Sequence, residues 1–336
     1  MAEGRKQWDS TFDLIKGGLV LWMIVRHTVI IASTAEASYF VRYINFLSGS
    51  FIFVMGYMVG RFAQRKFEAD PAASSWRLVF RGVKILLIYL ALNFLIQASG
   101  FGNADKQQPG AGALLLQLGD FFTGDPQLVS FLILLPIGYV LLLSPLLLNI
   151  ASGGRRWAAM TVLLACLVAG AVPAVPQDSL VVKFMLTGIA AVPLGQLTAP
   201  VQPGLAAPGR WLLTAAVLAA GIWIAGPMGV DITAYTVGVG LVLLALYWAA
   251  SAMDPAGTAA GWLALLGRYS LVGYIMQIVL IQLLLRALGG ERLPIGAELA
   301  AVGIATLIAV ATTCRVLEWL RSRSRGVDGA YRFVFS

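Results

Sequence analysis

LIKGGLVLWMIVRHTVIIA, residues 14–32, has the length of a helix that crosses a bilayer, yet it carries Lys16, Arg26 and His27. A span takes ~20 mostly apolar residues. The three basic groups and the lack of a small-residue cleavage site set the run apart from a removable signal peptide, so it is expected to stay as the first helix. Further apolar runs fall near 43–60, 79–97, 128–150, 157–175, 180–199, 211–229, 232–251, 261–286 and 295–316.

Composition agrees with that count. Of 336 residues, 59% are hydrophobic and 12% charged, with a mean hydropathy of +0.82; a soluble domain carries about a quarter charged residues. An ordinary soluble enzyme is excluded. The expected fold is all-α, a polytopic membrane helix bundle of about ten transmembrane helices. One domain, 1–320, is expected to be followed by a short basic cytoplasmic tail, 321–336, with no fold of its own, and the Pro- and Gly-rich stretch 200–209 reads as a linker.

The 24 Lys+Arg against 16 Asp+Glu give a net charge of +8, which is read as loop charge orienting helices, with no nucleic acid partner. Arg5, Lys6, Arg61, Arg65, Lys66, Arg77, Arg81, Arg155, Arg156, Arg210, Arg321, Arg323 and Arg325 fall on one side of a ten-span alternation. The segments near Ala35, Asp178, Asp231 and Glu291, and a long loop 99–126 with Asp105, Lys106, Asp120 and Asp125, fall on the other. Both termini are therefore expected in the cytoplasm. Cys166 and Cys314 lie in apolar runs, so neither a disulfide framework nor a metal site is expected.

Ionisable side chains inside a span usually face a bundle interior or a wet cavity, and His27, the only histidine, leads them. It lies ~20 Å along helix one from its cytoplasmic end, and Lys16, eleven residues earlier, is within about 20° of it around the helix. Asp13 precedes Lys16 at the i, i+3 spacing that lets side chains meet. Imidazole titrates near neutrality, which suits a general base; the plainer reading is a hydrogen bond to a neighbouring helix, with Asp13 and Lys16 snorkelling to the interface. A second cluster, Arg61, Arg65, Lys66, Arg77, Arg81 and Lys84, is either topology charge or, for cations inside helix three such as Arg81 and Lys84, a phosphate holder.

Five polar side chains in positions 268–277, with Arg268, Tyr274 and Gln277 foremost, argue that this helix lines a wet cavity. Most other embedded polar groups, Tyr57, Tyr89, Asn93 and Gln282 among them, read as interhelical partners or interfacial aromatics. Phosphate-loop, nucleophile-elbow and metal-ligand motifs are absent from the sequence.

FDLIKGGLVLWMIVRH, residues 12–27, resembles the first helix of the acyltransferase-3 membrane family: Asp, a basic residue three positions on, then ten residues and His. Lys16 replaces the usual Arg. SFIFVMGYMVGRFAQRKF, residues 50–67, is similar to the family's second helix, with Gly56 and Tyr57 in place of Gly-Phe and Met55 where Ser is expected. Arg77 and Arg81 stand where the family has arginines leading into helix three. LLGRYSLVGYIMQIVLIQLL, residues 265–284, is similar to a late helix with Tyr-x-x-His or Tyr-x-x-Gln, and PIGYVLLLSPLLL, residues 136–148, resembles the branch near the glucan succinyltransferases.

The resemblance implies transfer of an acyl group, acetyl or succinyl, from acyl-CoA to a hydroxyl of a glycan or glycoside, in the plasma membrane, the bacterial inner membrane. No cofactor is expected to stay bound; acetyl-CoA or succinyl-CoA is the donor substrate. His27 is implied as base or acyl relay and Asp13 as its catalytic companion that orients or neutralises Lys16. Lys16, Arg77 and Arg81 are implied to hold the coenzyme's phosphates, and Tyr57, Arg268, Tyr274 and Gln277 to line the substrate cavity. Expected partners are the acyl-CoA donor, the acceptor, the lipid bilayer and other proteins of a polysaccharide pathway, one of which any relay to a second active site would need. The rival reading is a transporter or flippase of a glycan or other anionic intermediate, with His27 as a protonation switch; the sequence shows neither internal repeats nor matched broken helices in its favour.

Overall fold

Asp70 and Pro71 show how this sequence writes its helix starts. In the computed structural model, Asp70 Oδ1 accepts the Ala73 N–H at 3.0 Å, and Pro71 takes the first helical position, where its missing N–H leaves nothing unsatisfied. Asp231 Oδ1 does the same for the Ala234 N–H at 2.6 Å. The structure describes residues 2–34, 41, 43–98, 121–122, 131–176, 178–198, 207–226, 231–289 and 292–335. The expected charges near Ala35, Asp105, Lys106, Asp120, Asp125 and Glu291 lie outside the described residues.

The helices are α1 (Ala2–Ala32), α2 (Phe46–Met58), a π-helical segment (Val59–Ala63), α3 (Gln64–Ala69), α4 (Pro71–Ala98), α5 (Leu134–Ile150), α6 (Arg156–Ala171) and α7 (Leu180–Leu197). They continue with α8 (Ala207–Ala225), α9 (Ile232–Ala252), α10 (Thr258–Arg268), α11 (Ser270–Ala287), α12 (Ala297–Arg323) and α13 (Arg325–Phe335). Among the described residues the one β feature is an isolated bridge between Ser33 and Leu293, and eight helical stretches are long and apolar enough to cross a membrane. Two shorter apolar helices, α5 and α6, stand at the fourth and fifth expected spans. The chain is an all-α polytopic membrane protein.

Three sequence expectations change. The ninth run is two helices, because Tyr269, at φ −104° and ψ 26°, leaves the helical region between α10 and α11. Residues 325–335 form α13, although the tail was expected to lack a fold, and Ser324 Oγ helps start it by accepting the Val327 N–H at 3.3 Å. The linker also shortens, since α8 starts at Ala207; residues 200–206 lie outside the described residues.

The chain packs into two compact units. The first comprises Met1–Phe51, Pro200–Met228 and Val237–Ser336. In it α1 packs on α10, α11 and α12, around a core of Val20, Ile24, Leu265, Leu266, Tyr269, Val310 and Cys314. Gly17 and Gly267 bring α1 and α10 to backbone contact: a Cβ at Gly17 would overlap the Leu263 carbonyl oxygen, and one at Gly267 that of Asp13. Lipid tails are as apolar as leucine, so close backbone approach at small residues is a principal means of joining helices in membranes.

The second unit comprises Ile52–Ala199 and Gly229–Thr236. Here the end of α2 and the π-helical segment lie on α7, with Gly56, Gly60 and Gly195 each facing a carbonyl oxygen across the contact. Gly82 and Gly138 do the same for α4 and α5. Thr187 and Thr236 share a buried hydroxyl hydrogen bond of 2.9 Å.

Candidate functional site

One turn of α1 makes the first part of the site. Lys16 Nζ lies 2.7 Å from Asp13 Oδ1, as the i, i+3 spacing predicts, with both side chains about three-quarters buried. Because Gly267 rests on the Asp13 carbonyl, this turn is fixed against α10.

His27 lies on the same helix, half-buried, with its ring centroid 5.8 Å from that of Tyr274 on α11 and a tilt of 52°. Its Nδ1 is buried without a hydrogen-bond partner. Gln277 follows Tyr274 by three residues and so shares its helix face; it is 0% exposed, and neither its amide oxygen nor its amide nitrogen has a partner. On the same two helices, Thr28 Oγ1 and Gln282 Oε1 are likewise buried without a hydrogen-bond partner. Buried polar groups in folded proteins nearly always find partners, and leaving one unmet costs about 1–3 kcal/mol. The α1 and α11 groups therefore suit a polar ligand: a ring nitrogen that can take a proton and an amide that can donate to or accept from a carbonyl.

Other expected site residues have different surroundings. Arg268 is more than half exposed and pairs with Glu318 of α12 at 2.5 Å, beside Arg315 at 3.1 Å from the same carboxylate. The break at Tyr269 separates it from the Tyr274–Gln277 face. In the second unit, Tyr57 is 9% exposed and its hydroxyl donates to the Thr198 carbonyl at 3.2 Å, which joins α2 to the end of α7. Arg77 and Arg81 are exposed on α4, and neither forms an ion pair with the other described residues. Near them Trp76 stacks on Phe80 at 6.0 Å, and Lys84 lies over the Phe80 ring at 5.0 Å. Arg61 falls inside the π-helical segment, a distortion frequent at functional sites.

Sequence reading missed two features. Glu318 was not seen as the partner of Arg268, since the two are fifty residues apart. Nor was Arg321 recognised as a hub: its Nε and Nη2 donate to Asp328 Oδ1 at 2.9 and 2.7 Å, its Nη1 donates to the Tyr269 hydroxyl at 3.0 Å, and its guanidinium lies 3.9 Å over the Tyr331 ring. The only local signal was an Arg and an Asp seven residues apart, across the unforeseen break at Ser324. Among the described residues no three His, Cys, Asp or Glu side chains gather to hold a metal ion.

A family model described as an acyltransferase domain matches residues 9–314, a range that includes Asp13, Lys16, His27, Tyr57, Arg77, Arg81, Arg268, Tyr274 and Gln277 but not Glu318 or Arg321. No curated protein and no solved structure matches the chain.

Proposed function

This chain belongs to the acyltransferase-3 family of membrane acyltransferases, and from that premise we propose that it moves an acetyl or succinyl group from acyl-CoA to a hydroxyl of a glycan, exopolysaccharide or glycoside. The observation that carries the reading is the group of buried, unmet polar atoms at His27 and Gln277 beside Tyr274, inside the matched range. Such a group suits transfer between a thioester and a hydroxyl, which needs a base and a donor for the developing oxyanion.

In the proposed reaction, the His27 imidazole takes the proton of the acceptor hydroxyl. The freed oxygen forms a bond to the thioester carbonyl carbon, and the carbonyl oxygen becomes an oxyanion that accepts from the Gln277 amide. As the C–S bond breaks, the imidazolium returns the proton to the leaving sulfur, giving the ester and free coenzyme thiol. Tyr274 holds the imidazole in place by ring contact. Asp13 pairs with Lys16 at 2.7 Å and so acts on the reaction through that cation. Phosphate recognition is proposed for Arg77 and Arg81 of the second unit, since a guanidinium suits bidentate contacts, and separately for Lys16 of the first unit as a point charge. Tyr57 and Arg268 are proposed to act on substrate through the helix ends that they fix. The proposed location is the bacterial inner membrane, with both termini in the cytoplasm.

The test is to incubate purified protein with radiolabelled acetyl-CoA and succinyl-CoA separately, with glycan acceptors present, and to follow coenzyme release and label transfer. The expected result is release from one donor that is lost in His27→Ala while that variant still elutes as folded protein. Flux of a glycan across proteoliposomes without any thioester consumed would overturn it in favour of a transporter.

A further inference from the structure

We propose that α13 is a membrane-surface helix whose outward face takes an anionic phospholipid layer, with Phe333 and Val334 in the acyl boundary and Arg323 and Arg325 on headgroup phosphates. It lies beyond the matched range of the acyltransferase domain and stands independently of the acyl-transfer reading.

The Arg321 hub decides which face of α13 points outward. Arg321 grips Asp328 and covers Tyr331, while Tyr331 meets the Tyr269 ring at 5.4 Å edge-on and packs against the core of the first unit. Asp328 and Tyr331, three residues apart, must then face inward. The opposite side presents Gly326, Ala330, Phe333 and Val334, all exposed, at the i, i+4, i+7, i+8 spacing of a helical apolar stripe. Phe333 is 69% exposed. Exposed Arg325 and Arg332, seven residues apart, share one edge of the helix, where Arg332 Nη2 also pairs with Asp328 Oδ2 at 2.8 Å.

Continuity with a span selects lipid as the occupant. At 1.5 Å per residue, α12 is ~40 Å long, enough to pass the ~30 Å hydrocarbon core and end among headgroups. Its last turns carry exposed Trp319, and Arg323 lies over that ring at 4.5 Å. Aromatic rings concentrate at this level of a membrane. Four arginines against one carboxylate in 321–335 leave the segment cationic, and juxtamembrane cations are drawn to anionic leaflets. A basic helix with an aromatic apolar stripe is the pattern of one lying in the interface plane.

The experiment uses the full chain in lipid nanodiscs. In Phe333→Cys, with Cys166→Ala and Cys314→Ala, an environment-sensitive fluorophore at position 333 is expected to emit to the blue and to be quenched by doxyl groups on acyl chains, while iodide has little effect. Strong iodide quenching without doxyl quenching overturns the proposal. So does shielding from both, which marks a second copy or a protein partner on this face. A second arm keeps both cysteines and compares Arg323→Gln/Arg325→Gln with wild type in mixed phosphatidylcholine and phosphatidylglycerol. Retained anionic lipid should fall about fivefold for each arginine removed, and unchanged retention overturns the headgroup assignment.

Discussion

Gln277 buries both ends of its amide without a partner, a state that a protein under selection for stability alone would remove. Replacing it by leucine keeps roughly the volume and deletes the unmet atoms, so the melting temperature of Gln277→Leu should equal or exceed wild type. Acyl transfer should fall about 10²–10³-fold, the usual loss for one oxyanion donor. A thermal melt and a turnover assay on one preparation check both halves; a melt that drops with activity would make Gln277 a packing residue. His27→Ala should remove transfer altogether, and Asp13→Asn should weaken it less, since Asp13 acts through Lys16.

Asp328 and Tyr331 set the pH range of the hub. Hydrogen bonding from Arg321 is the main cause that holds the Asp328 carboxyl below its ordinary 3.8, and burial is the main cause that pushes the Tyr331 phenol up to about 12. A carboxyl with a depressed folded value contributes stability that is present above 3.8 and is lost as pH falls through the lower folded value. A spin label at Phe333→Cys should therefore keep its mobility from pH 8 to pH 5 and loosen only below about pH 4. Loosening at pH 6 would contradict the pairing.

At the scale of elements, the contact of α1 with α10 is the most sharply testable. A Cβ at Gly17 or Gly267 meets backbone carbonyl, which cannot move aside as a side chain can. Gly17→Ala and Gly267→Ala should each lose about 1–3 kcal/mol, the usual cost of overpacking. Gly18→Ala, whose Cβ meets nothing within 4 Å, should gain about 0.5–1 kcal/mol from the helix itself. Melting of the three variants in detergent checks the ordering, and equal effects at 17 and 18 would sink it. The pair was visible in the sequence only as two adjacent glycines after Lys16; which of them carries the contact depends on the rotation of α1 against a helix some 250 residues away.

Across the whole molecule, the Lys and Arg positions predict which ends share a side of the membrane. Epitope tags at both ends of the chain should be digested together by protease added to inside-out vesicles and protected together in right-side-out ones. Opposite behaviour of the two tags would mean an odd number of crossings.

Local physics made much of this protein legible in its sequence. Apolar runs long enough to span a bilayer gave the class of fold, since a span is recognised by its own length and polarity. Asp13 and Lys16 were readable as a pair because both lie on one helix turn. The ring contact of His27 with Tyr274, the unmet amide of Gln277, the pairing of Arg268 with Glu318 and the bond from Arg321 to Tyr269 were not, because each depends on how helices distant in the chain are rotated and spaced. Hydrophobic pattern constrains that rotation weakly when nearly every face of a helix is apolar, and close packing at a few glycines decides it.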